Sequence, residues 1–188
     1  MGHGFFIKFF KGNEDFYCLM TNDHVITEDM LNQKKTIRFY YDLDSKSVKF
    51  KEINLNSEER YIKYFKKDLN IDAIIIEILP KDNIDKDYFL LPFLEHMDNS
   101  IELKDKEISI IQKREAESAF FITNGEIKDI KKYEFTHNTS TLQISLGCPI
   151  FLKESIKVVG ICKGDTYSKN NFGDFIGPIF NFFKYKFK

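Results

Sequence analysis

Three segments of the chain contain residue types that could carry out chemistry. His24 stands in YCLMTNDHVIT, and Asp72 stands near the head of the apolar run IDAIIIEIL. The third segment, SLGCPIF, offers the hydroxyl of Ser145 and the thiol of Cys148 in a turn that contains glycine and proline. An imidazole, a carboxylate and a hydroxyl or thiol are together the groups that nucleophilic catalysis requires.

Each segment also has an ordinary structural explanation. A histidine after a strand is commonly a surface residue, and an aspartate before an apolar run is commonly a turn or cap residue. The stretch SLGCPI, taken alone, fits any tight turn that leads into a strand. The order of His24, Asp72 and the Gly/Pro turn, in a chain rich in short strands, favours a shared site.

The surrounding sequence predicts an all-β fold. Short β-branched and aromatic runs with period-two alternation are typical of strands that half face a core. About six such runs precede Pro80, and six or seven follow the polar stretch that ends at Asp105. Two six-stranded antiparallel barrels would leave no exposed strand edges. The predicted organisation is one domain, 1–188, divided into an N-terminal barrel, 1–95, a C-terminal barrel, 96–177, and a C-terminal amphipathic helix, 178–188.

These motifs, in this order, resemble the trypsin-like serine proteases of the chymotrypsin fold, especially the intracellular, disulfide-free and HtrA-like members. That family has GTGF and LTNNHV, then DIAVI or DITIIEI, then GxSGSPI followed by VVGIHxG. This sequence has GHGFF, MTNDHVI, IDAIIIEI, ISLGCPI and VVGICKG. The resemblance extends over essentially the whole chain, and it implies a double barrel with a substrate cleft between the barrels.

The resemblance implies that His24 is the general base and that Asp72 orients it. It also places the nucleophile three residues before Pro149, at Leu146, whose side chain has no lone pair to attack a carbonyl. A second departure is independent of the first. The family's glycine that donates its backbone N–H to the oxyanion is replaced here by Ile144. Loss of one oxyanion donor typically costs about 10²- to 10³-fold in rate, and loss of the nucleophile leaves only residual catalysis.

Further residues complete the site that the resemblance implies. The predicted oxyanion loop consists of Ile144, Ser145 and Gly147 around the nucleophile position. The predicted lining of the cleft consists of His137, Thr141, Gly160 and Gly164.

Two interpretations of function remain open. Leu146 and Ile144 favour a non-catalytic peptide-binding or regulatory module, because their side chains would turn the former reaction centre into an apolar patch. The alternative is an active endopeptidase in which Cys148 or Ser145 serves as an unconventional nucleophile beside the retained His24. Cys148 lies two residues beyond the expected position, about 6–7 Å along an extended chain, so its use would require a remodelled loop.

The composition limits the classes of partner that the protein is expected to bind. The 28 basic and 29 acidic residues give a net charge of -1, which favours neither nucleic acid nor an anionic membrane as a partner. Three scattered cysteines argue against a disulfide framework and against a zinc knuckle, so we expect no metal and no cofactor. No signal peptide and no 18-residue apolar window is visible. We therefore expect a cytoplasmic protein that binds a peptide or protein, with an oligomeric state that the sequence does not specify.

Overall fold

The computed structural model describes residues 2–11, 14–41, 49–95, 100–113, 120–140, 145–163 and 171–186. Twelve strands run through this part of the chain. They are β1 Gly4–Lys11, β2 Glu14–Thr21, β3 Thr36–Tyr41, β4 Lys49–Asn54, β5 Ile62–Tyr64, β6 Ile74–Glu77, β7 Glu107–Lys113, β8 Phe120–Lys131, β9 Glu134–His137, β10 Pro149–Leu152, β11 Lys157–Lys163 and β12 Asn171–Phe175.

The helices in the described residues are short, apart from the last one. They are α1 Glu28–Asn32, α2 Lys66–Leu69 and α3 Gly177–Lys186, with 3₁₀ turns at Pro80–Asp82, Lys86–Tyr88 and Ser100–Leu103. None of the helices in these ranges is long and apolar enough to cross a membrane.

The C-terminal half is a closed antiparallel barrel, which confirms that part of the prediction. Its strands follow the order β10-β11-β12-β9-β8-β7, and β7 closes the ring by pairing with β10, where Ile110 lies opposite Ile150. Both of these side chains are fully buried in the barrel core with Phe135 and Val159. The runs AFFITNG and EIKDI, which the pattern predicts as two strands, form the single long strand β8.

The N-terminal half contains six strands, as predicted, but hydrogen bonds join only four of them into one sheet. That sheet has the order β1-β2-β6-β5, whereas β3 and β4 form a separate hairpin. The hairpin packs on the sheet through side chains, and the ring centroids of Phe6 and Phe39 lie 5.4 Å apart. Closure of this half into a second barrel therefore stays a prediction.

A buried ion pair lies beside this sheet. The Arg60 guanidinium donates to both carboxylate oxygens of Asp82, at 2.8 and 3.1 Å, and to the Glu77 carbonyl at 2.7 Å. The Arg60 and Asp82 side chains are only 2% and 6% exposed. Because a buried charge needs a partner, the pair fixes the connection after β6 to the loop before β5.

Helix α3 joins the two halves through a common core. Its residues Ile179, Phe180 and Phe183 are buried, and the Phe183 ring centroid lies 4.8 Å from that of Phe9 in β1. The same core cluster includes Val158 of the C-terminal barrel. The helix begins one residue before the predicted boundary, and the last two residues of the predicted helix lie outside the described residues.

Candidate functional site

The structure brings His24 and Asp72 together. His24 lies in the turn after β2 and Asp72 lies just before β6, and these two strands pair so that Thr21 is opposite Ile74. The His24 Nδ1 atom is 3.0 Å from Asp72 Oδ2, and the second carboxylate oxygen accepts the Asp23 backbone N–H at 3.0 Å. The His24 side chain is 46% exposed and that of Asp72 13%. The geometry is that of a base held by a partly buried carboxylate.

A second aspartate supports Asp72 from inside the protein. The Asp72 backbone N–H donates to Asp174 Oδ2 at 2.8 Å. Asp174 is fully buried in β12, with the Lys163 ammonium 3.5 Å from its other oxygen. Burial raises the pKa of the Asp174 carboxyl to about 6. The sequence prediction missed this residue, whose one signal is a lone acidic position in the apolar run NFGDFIG.

The ionisation of Asp72 depends on its immediate neighbours. Burial alone would raise the pKa of its carboxyl, but the Asp23 side chain and backbone N–H, together with His24, hold that pKa below its usual value. Burial and the adjacent Asp72 raise the pKa of the Asp23 carboxyl to about 6. Asp72 is therefore the carboxylate that stays ionised beside the imidazole, which suits an orienting residue.

The turn at the nucleophile position retains its backbone hydrogen bond and its glycine. The Cys148 N–H donates to the Ser145 carbonyl at 3.1 Å, which closes a turn whose third residue, Gly147, has a φ of +84°. Such a turn requires a positive φ at this position, and glycine adopts it without steric cost. The His3 N–H donates to the Leu146 carbonyl at 3.2 Å, so the N-terminal segment packs directly against the turn.

Asn22 connects this turn to the His24–Asp72 pair. Its side-chain amide donates to the Asp72 carbonyl at 2.9 Å and to the Cys162 carbonyl at 3.2 Å. The Cys162 carbonyl also accepts the Gly147 N–H at 3.1 Å. The three segments that the sequence singled out therefore meet around one buried side chain.

Both alternative nucleophiles are buried. Ser145 is 3% exposed, and its hydroxyl donates to the side-chain oxygen of Gln112. Cys148 is 2% exposed in the barrel core, and burial raises the pKa of its thiol to about 12. A thiol with that pKa is protonated at neutral pH and is a poor nucleophile. Leu146 itself is partly exposed.

The predicted cleft residues have mixed outcomes. His137 is buried inside the C-terminal barrel together with Thr139, whose hydroxyl has no hydrogen-bond partner among the described residues. Burial lowers the pKa of His137 to about 4, with a partial offset from the Phe172 backbone. Gly160 is buried, and a Cβ there would lie 3.0 Å from the Phe135 ring, so the structure gives this glycine a packing role. Three predicted residues lie outside the described residues, namely Thr141, Ile144 and Gly164.

A cavity of about 280 Å³ opens beside the imidazole. Asp23 and His24 are among the residues that line it. Its remaining lining residues are Thr27, Glu28, Tyr64, Lys66 and Lys67. The sequence pattern did not indicate Asp23, because its importance comes from the fold placing it next to Asp72.

Comparison with known proteins identifies solved structures that share the fold. No protein-family model matches the sequence, and a search of curated proteins finds no match. Solved structures do match. The MamO protease domain from Magnetospirillum magneticum is 10% identical with a TM-score of 0.60, and the alignment covers 97% of this chain and 87% of that one. The serine protease domain of the Sesbania mosaic virus polyprotein is 16% identical with a TM-score of 0.54, covering 96% and 84%. Tobacco etch virus protease is 13% identical with a TM-score of 0.52, covering 90% and 71%.

These structural neighbours are viral and bacterial proteases of the chymotrypsin fold. At identities of 10–16%, the likeness shows a common fold. The chain therefore has the trypsin-like fold, with His24 and Asp72 adjacent in it.

Proposed function

We propose that the chain is a trypsin-like serine protease homologue of the disulfide-free, HtrA-like type that binds a peptide or protein segment without cleaving it. The observation that carries the proposal is Leu146, which occupies the nucleophile position in a turn whose hydrogen bonds and Gly147 are intact. A hydrocarbon side chain offers no atom that can attack a carbonyl. Ile144 at the oxyanion glycine position adds a second obstacle to hydrolysis.

The burial of the remaining hydroxyl and thiol groups supports the same proposal. Ser145 is already hydrogen-bonded to Gln112, and the Cys148 thiol is held protonated in the core. The alternative, an endopeptidase that uses one of these residues with His24, would require the turn to open and release the contact between His3 and Leu146. We place the partner in the cleft between the two halves, where Leu146 is partly exposed and contributes an apolar contact.

Peptide selection from a phage-displayed library tests the binding. We expect the wild-type protein to enrich peptides that are recovered uncut, and Leu146→Lys to weaken their affinity at least about tenfold, since burying a leucine is worth about 1.5–3 kcal/mol. Ile101→Lys is the matched control, because Ile101 is an exposed apolar residue outside the loop. It should change affinity less than about twofold. Equal effects of the two substitutions, or no enrichment, would contradict binding at the cleft.

A further inference from the structure

Two cysteines that are separated in the sequence lie opposite each other in the C-terminal barrel. Strands β10 and β11 pair so that Pro149 faces Ile161, and next to this pair the Cys162 N–H donates to the Cys148 carbonyl at 2.9 Å. Both cysteine side chains are buried in the same core cluster. Burial, and after it the neighbouring Cys148, raise the pKa of the Cys162 thiol well above its usual value. The two thiols are therefore neighbours inside the barrel.

The backbone geometry of this pair is compatible with a disulfide bond. Residues that face each other across antiparallel strands have Cα atoms about 4.5–5.5 Å apart, and the Cα atoms of a disulfide are usually about 4.4–6.8 Å apart. Gly147 and Cys148 together oppose Cys162, because the Gly147 N–H donates to the Cys162 carbonyl at 3.1 Å. Two residues against one, with a glycine at a φ of +84°, form a β-bulge, which bends the strand and increases its twist.

We propose that Cys148 and Cys162 form a reversible disulfide bond when the chain folds in the presence of glutathione disulfide. The thiolate of one cysteine attacks a sulfur atom of glutathione disulfide, breaks its S–S bond and releases one glutathione. The thiolate of the other cysteine then attacks the protein sulfur of this mixed disulfide and releases the second glutathione. The protein gives up two electrons and two protons, and the two glutathione thiols receive them.

The bond would attach the nucleophile turn covalently to β11. Cys148 is the last residue of that turn, and the Cys162 carbonyl accepts hydrogen bonds from both the Gly147 N–H and the Asn22 side chain. The bond would close a loop from 148 to 162, about 15 residues, and such a loop stabilises the fold by restricting the unfolded chain. The inference is independent of peptide binding, because it concerns the covalent state of the turn.

Burial of both thiols determines when the bond can form. Burial raises the pKa of the Cys148 thiol to about 12, so the folded protein contains almost no thiolate at neutral pH. We therefore expect the bond to form during refolding, while both thiols are exposed, and the folded protein to react slowly. Cys18 provides an internal comparison. It is fully buried in the other core cluster, where Ile7 and Glu77 are its neighbours across the sheet.

Refolding of the chain in a glutathione redox buffer at mildly alkaline pH tests the pair. After alkylation in denaturant, peptide mass spectrometry should show a bond between Cys148 and Cys162, with Cys18 alkylated as a free thiol. The oxidised protein should melt about 6–12 °C above the same protein after reduction. Cys148→Ala and Cys162→Ala should each abolish both the bond and this difference. The matched control Cys18→Ala, which also removes a buried thiol, should keep both.

Three results would overturn the proposal. The first is a refolded wild-type protein that retains all of its thiols. The second is a product in which glutathione or Cys18 is bound to one of the two cysteines in place of the expected pair. The third is a bond between Cys148 and Cys162 that leaves the melting temperature unchanged or lowers it, since such a bond would not fit the folded barrel. Circular dichroism of each reduced variant establishes that it folds, and mapping of the wild-type protein tests the pair without any substitution.

Discussion

Replacing Gly147 with alanine is expected to destabilise the fold by about 3–5 kcal/mol. A Cβ at this position would lie 2.1 Å from the His3 carbonyl oxygen and 2.9 Å from its carbon, and both atoms belong to the backbone. The φ of +84° is itself unfavourable for a residue with a side chain. Relief of the clash would require separation of the N-terminal segment from the nucleophile turn. Urea unfolding of wild type and variant measures the difference.

Gly2→Ala is the control for that experiment. A Cβ there would approach only Val25, 2.5 and 2.7 Å from its two methyl groups and 3.2 Å from its Cβ, and a partly exposed side chain can shift with less strain than the His3 backbone carbonyl. We expect a loss below about 1.5 kcal/mol for Gly2→Ala. If Gly147→Ala were as mild as this control, the packing of His3 against the turn would be wrong.

The second large effect is a pH dependence of the folding stability that arises from His137. Burial holds its pKa at about 4 in the folded protein, against 6.5 for a free histidine. The unfolded chain therefore binds more protons between about pH 6.5 and pH 4, and folding stability falls as the pH drops through this range. At about pH 4 the loss attributable to His137 amounts to about 3 kcal/mol. Substitution by phenylalanine, which matches the shape of the ring and cannot titrate, removes this loss.

The measurement is the free energy of unfolding of wild type and His137→Phe from about pH 7 to about pH 4. The stability of the variant relative to wild type should rise by about 3 kcal/mol as the pH falls. Asp23 and Asp174 also titrate in this range, with folded pKa values of about 6, but both proteins contain them and their contributions cancel in the difference. A difference that stays constant with pH would mean that solvent reaches the His137 ring in the folded protein.

Much of the fold could be predicted because strand formation leaves a local signal. The alternation of apolar and polar residues identified six strands before Pro80 and the strands of the C-terminal barrel. How strands pair depends on contacts between distant residues, so the pattern could not reveal that β3 and β4 form a separate hairpin. Nor could it show that the bend between Ile127 and Ile130 is an irregularity within one strand.

The candidate site likewise combines residues that local motifs predict with residues that only the fold brings together. His24, Asp72 and the Gly147 turn carry recognisable local motifs, and the structure brings them together around Asn22. The motif that contains Asp23 gives no sign of its contact with Asp72, and Asp174 belongs to no motif, because each contacts Asp72 from a distant part of the chain. The same holds for the buried pair of Arg60 and Asp82, which are 22 residues apart in sequence.

We propose that Leu146, together with Ile144, prevents hydrolysis in a fold that keeps the His24–Asp72 pair. Labelling with a fluorophosphonate probe and with a thiol-directed probe tests it most directly, in the wild type, in Leu146→Ser and in Leu146→Ser combined with Ile144→Gly. Leu146→Ala controls for the lost bulk, and His24→Ala added to each serine variant controls for the base. We expect no His24-dependent labelling of the wild type by either probe, and His24-dependent fluorophosphonate labelling of the variant that carries both substitutions. His24-dependent labelling of the wild-type protein, or a folded double variant that does not react, would contradict the account.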